Sequence, residues 1–126
     1  MAEVRVKNAK TGGEKGSKDE RFDLLPYEQL AEVARHFGVG AAKYEPHNWK
    51  KGYDWSLSES ALMRHFAAFM EGEEIDEETG SHHLAAVVFH ALALLYFKDH
   101  HRELDDRKRG YNPKSKPKPM DRKASA

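Results

Sequence analysis

Between Arg64 and Leu95 the chain reads RHFAAFMEGEEIDEETGSHHLAAVVFHALALL, and the side chains able to do chemistry are concentrated there. Glu71, Glu73, Glu74, Asp76, Glu77 and Glu78 fall within eight residues, and His82 and His83 follow at once. If a helix entering this stretch continues past Gly72, then His65, Phe69, Glu73 and Asp76 share one stripe, because residues three and four apart lie on one helix face. His83, Val87, His90 and Leu94 form a matching stripe on the next helix. Folding the pair back on itself brings Glu73 and Asp76 to His83 and sets His65 level with His90. Carboxylates from one helix and an imidazole from its neighbour are what a bundle core offers a divalent cation. The expected metal ligands are therefore Glu73, Asp76, His83 and His65, and the excess of oxygen donors favours Mg²⁺ or Mn²⁺ over zinc. Such an ion polarises a phosphoryl group, with a spare carboxylate at Glu74 or Glu78 as the catalytic base. The plainer alternative is a solvated acidic turn, helped by the dipole of the following helix, with His90 a packed core histidine.

Two further stretches bear on a phosphate or a base. The loop from Glu45 to Trp55 holds Asn48 and both tryptophans, with Lys43 just before it. Aromatic rings beside an amide can stack and hydrogen-bond a base, but from the loop alone the favoured reading is that the tryptophans pin it to the core. Near the N-terminus, Gly12-Gly13-Glu14-Lys15-Gly16-Ser17-Lys18 resembles a phosphate-binding loop only superficially. The order is Gly-Ser-Lys rather than Gly-Lys-Ser, and no buried strand precedes it. A mobile loop that brings Lys15 or Lys18 to a phosphate is a weaker claim and fits the residues better than a true phosphate-binding loop.

Positioning these groups takes three helices. The first begins near Pro26, since proline suits a first turn, and should break or bend at Gly38-Val39-Gly40. The second begins at Ser56-Leu57-Ser58-Glu59, which reads as a capping box. The third runs from about Ser81 to His100 or His101 and is apolar nearly all round from Leu84 to Phe97, the mark of a central, buried helix. The expected fold is all-α: a helical bundle built on an antiparallel helix hairpin over residues 21–104. An irregular segment precedes it over residues 1–20, although Val4 and Val6 alternate as in a short strand. A basic, Lys/Pro-rich tail follows over residues 105–126, disordered in isolation by its composition.

Composition narrows the classes. There is no cysteine, which removes disulfides, thiolate zinc sites and thiol nucleophiles. No apolar run approaches the roughly 20 residues of a membrane span, and no apolar leader is visible, so a cytoplasmic protein with no membrane role is expected. The net charge is zero, but from Arg107 onward eight basic residues face Asp121 alone. A net acidic body with a basic tail is not the footprint of a DNA-binding domain, so nucleic acid is expected only through the tail.

The ordered set Gly13-x-Lys15-Gly16-x-Lys18, Arg21-Phe22-Asp23-Leu24-Leu25-Pro26, Gly40-Ala41-x-Lys43-Tyr44, Asn48-Trp49, Trp55-Ser56, Arg64-His65, Gly72-Glu73-x-x-Asp76-x-Glu78-x-Gly80 and His83-Leu84 resembles a bacteriophage family. Its members are dATP/dGTP diphosphohydrolases, related to the MazG-like all-alpha nucleoside triphosphate pyrophosphohydrolases. The resemblance spans roughly residues 11–98. It implies hydrolysis of a purine deoxynucleoside triphosphate to the monophosphate and pyrophosphate with Mg²⁺ or Mn²⁺, in a homo-oligomer (dimer or tetramer) in the infected host's cytoplasm. It also implies substrate contacts from Lys18, Arg21, Lys43, Asn48, Trp49 and Arg64. One departure stands out: the MazG-like pattern puts Glu-x-x-Glu on one helix and Glu-x-x-Asp on the next, whereas here Glu71-x-x-Glu74 and Glu73-x-x-Asp76 overlap in one segment. The ligand set is therefore assigned from chemistry. An HD-type triphosphohydrolase is set aside, because the chain has no His-Asp dipeptide. The alternative from another class is a small helical interaction protein whose basic tail binds nucleic acid or an acidic partner.

Overall fold

The computed structural model describes residues 3–120. Backbone contacts divide the chain into two units, residues 26–112 and the two ends, and each stands by itself below.

The ends correct one expectation. The N-terminal segment is not irregular: β1 (Glu3–Lys7) pairs antiparallel with β2 (Glu14–Lys18), Val4 opposite Ser17 and Val6 opposite Lys15. The connection is built by Asn8, whose side-chain oxygen accepts from the Lys10 and Thr11 amides, with Gly12 at φ +75°. An Asx-type turn with a glycine in the left-handed region closes a hairpin wherever polar strands flank it, and low hydrophobicity hid that here. Residues 113–120 carry no regular secondary structure.

The larger unit holds α1 (Tyr27–Lys43), α2 (Trp55–Met70) and α3 (His83–His100), with short 3-10 turns at Asn48–Lys51 and Arg102–Leu104. The protein is thus mostly helical with one small sheet. Helices α2 and α3 are antiparallel: Trp55 packs with Phe97, Ser58 bonds His90, and His65 bonds His83, so numbers rise on one helix as they fall on the other. Ala85, Ala86 and Ala93 are buried on α3. Small side chains there let the backbones approach. The apolar core is Trp55, Ala93 and Phe97, with Trp49, Tyr53, Leu94, Tyr96 and Leu104 packed around it.

Gly38 and Gly40 do not interrupt α1, which runs through to Lys43. Each mid-helix glycine costs only about 1 kcal/mol, less than the packing of Phe37 on Phe89 and Trp49 can offset. The capping box is not used either. α2 begins at Trp55, and its serines are taken by tertiary partners: the amide and hydroxyl of Ser56 donate to Asp106, and Ser58 is buried between Tyr53 and His90. Gly52 lies at φ +92° and leaves room for the His101 ring, which a Cβ there would meet at 2.8 Å. His101 donates from Nε2 to the Lys50 carbonyl, and Trp55 Nε1 donates to the His101 carbonyl. These bonds staple the Asn48–Lys51 turn and the end of α3 onto the start of α2.

α3 is less enclosed than its composition suggests. Val88, Leu92 and Leu95, one stripe by their spacing, are 37%, 40% and 54% exposed. Two neighbouring helices cannot cover a helix that is apolar all round. Met63, Phe66 and Met70 are likewise exposed along α2. Among the described residues no helix is long and apolar enough to cross a membrane.

Candidate active site

α2 stops at Met70, and Gly72 takes φ +98°, so the stripe expected to carry Glu73 and Asp76 onward does not exist as helix. Glu73 reaches His83 by another route. The segment after Gly72 folds back as a short antiparallel bridge between Ile75 and His82, with the Asp76 amide donating to the Ser81 carbonyl and the His83 amide to the Glu74 carbonyl. His82 caps α3, its Nδ1 accepting from the Leu84 amide. The turn closes through Gly80, whose amide donates to the Asp76 carbonyl, and through Thr79, whose hydroxyl donates to Asp76 Oδ2 at 2.8 Å. Burial works against the Asp76 charge, but the Thr79 hydroxyl and the Glu78 amide outweigh it, with His65 and His83 adding to them. Asp76 is held below the usual carboxylate range.

Behind this loop lies a row of imidazoles. His83 Nε2 is 2.8 Å from Glu73 Oε1, and His83 Nδ1 is 2.9 Å from His65 Nδ1. A carboxylate only accepts, so His83 donates from Nε2. A neutral His83 then accepts at Nδ1 from His65 Nδ1–H, which leaves the lone pair of His65 on Nε2. Burial is the main cause holding His65 below its ordinary value, which keeps it neutral at pH 7. His65 stacks on His90 at 6.2 Å between centroids. His90 bonds Ser58 at 2.9 Å, and Ser58 bonds Tyr53 at 2.6 Å. Burial pushes His90 down to about 4.

Tyr53, His65, Glu73, His83 and His90 line one cavity of about 960 Å³. Its wall carries the acids Glu45, Glu73, Asp76 and Glu78, the imidazoles His36, His47, His65, His83 and His90, the cations Lys43 and Arg64, and the rings Phe37, Tyr44, Trp49, Tyr53 and Phe89. Lys43 lies over the Tyr44 ring and 3.7 Å from Glu78, and both neighbours raise its pKa, Tyr44 the more. Trp49 packs edge-to-face on Phe37, Phe89 and Tyr96, which pins its loop to the core, and it lines the cavity beside Asn48.

Of the residues singled out in the sequence, Glu73, Asp76, Glu78, His65, His83, Lys43, Asn48, Trp49 and Arg64 meet at this cavity. Glu74 does not. It is exposed and outside the wall, and what it contributes is its backbone carbonyl. Lys18 and Arg21 belong to the other unit, where Lys18 pairs with Glu3 and Arg21 makes a two-pronged bond to Asp23. Sequence reasoning passed over His36, Ser58, Thr79 and Ser81. Isolated serines and a lone helical histidine carry no spacing signal: His36, Ser58 and Ser81 are marked by partners 32 to 46 residues away, and Thr79 by its bonds to Asp76 and Ser81 in the same turn.

Hard oxygen donors at Glu73, Asp76 and Glu78 match Mg²⁺ or Mn²⁺ in kind. They are not a ready-made cage: among the described residues no three His, Asp or Glu side chains are grouped to hold a metal ion. Both ring nitrogens of His83 are already hydrogen-bonded, so direct ligation by His83 would require giving up Glu73 or His65.

No curated protein and no solved structure matches this chain. A family model described as dATP/dGTP diphosphohydrolase, N-terminal, matches residues 9–107, which takes in the whole cavity and its acidic loop. The chain belongs to the dATP/dGTP diphosphohydrolase family.

Proposed function

We propose that this protein is a metal-dependent pyrophosphohydrolase that converts dATP or dGTP to the monophosphate and pyrophosphate. The observation that carries the reading is one cavity lined by four carboxylates, two cations and an aromatic cluster, the three chemistries a purine nucleoside triphosphate requires. Phe37 and Trp49 offer faces and edges to the base, with the Asn48 amide beside them to hydrogen-bond its rim. Lys43 and Arg64 neutralise phosphate charge. Glu73 and Asp76, drawn together by the cation, would hold Mg²⁺ or Mn²⁺, and His65 would join them through Nε2 on the same rearrangement, while His83 holds Glu73 and His65 in register. Bound there, the cation supplies Lewis acidity and charge screening at the phosphates. Glu78 takes the proton of the water that attacks the α-phosphorus, and the α–β bond breaks with pyrophosphate leaving.

Incubation with Mn²⁺ and each deoxynucleoside triphosphate, with separate assays for pyrophosphate, orthophosphate and tripolyphosphate, tests this. Pyrophosphate from dATP or dGTP is expected. Orthophosphate, tripolyphosphate or no turnover would sink it. The exposed stripes on α2 and α3 support association with a second copy of the chain, whose own stripes would complete a four-helix arrangement.

A further inference from the structure

Ser81 lies at the junction of two walls of the cavity. It is only 3% exposed, and its side chain leaves its own loop. Its hydroxyl oxygen accepts from Arg35 Nη1 at 3.1 Å and is 2.8 Å from His36 Nδ1, both on α1. His36 is in turn braced edge-on against Phe89 of α3 at 5.5 Å. On the loop side, the Ser81 carbonyl accepts from the Asp76 amide and the Ser81 amide donates to Thr79 Oγ1, the same hydroxyl that binds Asp76 Oδ2. Gly80 makes the approach possible. Its φ is +72°, and a Cβ there would sit 3.3 Å from Arg35 Nη2.

The two walls so joined differ in chemistry. α1 supplies Phe37 and Lys43, and the loop supplies Glu73, Asp76 and Glu78. Within the loop, Asp76 is already held by Thr79 and by backbone bonds, so the Ser81 side chain acts on the turn only by tying it to α1, and through that tie it steadies the turn's own bonds. What it sets is where the turn sits against α1.

We infer that Ser81 is a positioning residue: by receiving Arg35 and His36 it registers the acid wall against the base- and phosphate-binding wall, and turnover depends on that register. The inference rests on the pyrophosphohydrolase reading. Groups displaced by about 1 Å from a productive geometry can lose about 100-fold in rate. The contacts expected to bind the base lie on α1 and the Asn48–Lys51 turn, and they are not moved. Loss of the Ser81 hydroxyl therefore lowers kcat far more than it raises KM.

The test compares wild type, Ser81→Ala, Ser81→Thr and Arg35→Met in the full chain, the last breaking the same contact from α1. Steady-state kcat and KM are measured with Mn²⁺ and dATP or dGTP, with thermal unfolding and amide hydrogen exchange alongside. Ser81→Ala and Arg35→Met should each lower kcat by about 100-fold with KM changed less than about threefold. The double variant should lose no more than either single one, and Ser81→Thr, which keeps the hydroxyl, should recover most of the rate. Exchange at the Asp76 and Gly80 amides should quicken in Ser81→Ala while the folded state persists. A Ser81→Ala enzyme with quickened exchange and unchanged kcat overturns the inference, as does lost kcat with unaltered exchange. A wild type that releases no pyrophosphate brings down the functional reading itself. The exchange and unfolding measurements still report whether Ser81 holds the loop, so the two failures are told apart.

Discussion

His65 Nδ1 and His83 Nδ1 lie 2.9 Å apart across the α2–α3 interface, and Glu73 Oε1 lies 2.8 Å from the far nitrogen of His83. Two neutral imidazoles can meet in this way only if one donates and the other accepts. The carboxylate decides which. With both rings neutral, His83 relays between Glu73 and His65, and the remaining lone pair falls at His65 Nε2.

Glu73→Gln keeps the size and an acceptor oxygen but removes the charge at the head of this row. Its amide can also turn its donor face to His83 and reverse the order of donation. Pyrophosphate release should fall by at least about 100-fold, the usual cost of one electrostatic contact in a reacting site, with little change in melting temperature. Activity within threefold of wild type would remove Glu73 from the site.

His90 offers a pH prediction. Its pKa is about 4 in the folded chain, with burial the chief cause, while in the unfolded chain it takes the ordinary histidine value near 6.5. Between those values the unfolded state binds the extra proton, so stability rises with pH through the window and is lost as pH falls from about 6.5 to about 4. Urea melts at pH 7, 5.5 and 4.5 should show the decline, and His90→Gln should flatten it. An equal slope in the variant assigns the effect elsewhere.

Trp49 separates its two roles by substitution. Trp49→Ala removes a ring packed against Phe37, Phe89 and Tyr96, and should cost about 3 kcal/mol of stability, the low end for a large aromatic because one side faces the cavity. Trp49→Phe should keep most of the stability and raise KM for dATP and dGTP. Denaturant melts and initial rates on both variants check this. A Phe variant with unaltered KM limits Trp49 to packing.

Gly52→Ala should destabilise the protein by more than about 1 kcal/mol, because φ +92° strains any side chain and the His101 ring occupies the space. A melting temperature equal to wild type is the contrary result.

Leu92→Glu places a charge in the exposed α3 stripe. If a second copy covers that stripe, sedimentation should show the variant shifted to the monomer while wild type is larger. A monomeric wild type removes self-association from the proposal.

The three helices were legible because apolar periodicity and Pro26 are local signals, and α3 ends at His100, within the range that its composition indicated. Glu73, Asp76 and His83 were legible as a group because carboxylates and imidazoles at hairpin spacing are chemically conspicuous. The route between them was not. A shared stripe required helix past Gly72, whereas a left-handed glycine and a backbone bridge from Ile75 to His82 bring the groups together. Ser56 and Ser58 misled for a related reason: capping is a local preference worth about 1 kcal/mol, and Asp106, Tyr53 and His90 compete for the same hydroxyls.

By itself, then, the sequence determined the helical class, the acidic hairpin and the residue types of the site, because these rest on interactions within a few turns of chain. Tertiary structure alone decided which histidine keeps a free nitrogen, which carboxylates face the cavity, and that Ser81 joins α1 to the acidic loop. The Glu73–His83, His65–His83 and Ser81–α1 bonds join residues 10 to 46 positions apart, and only the packing of α1, α2 and α3 brings such partners within 3 Å or so of one another.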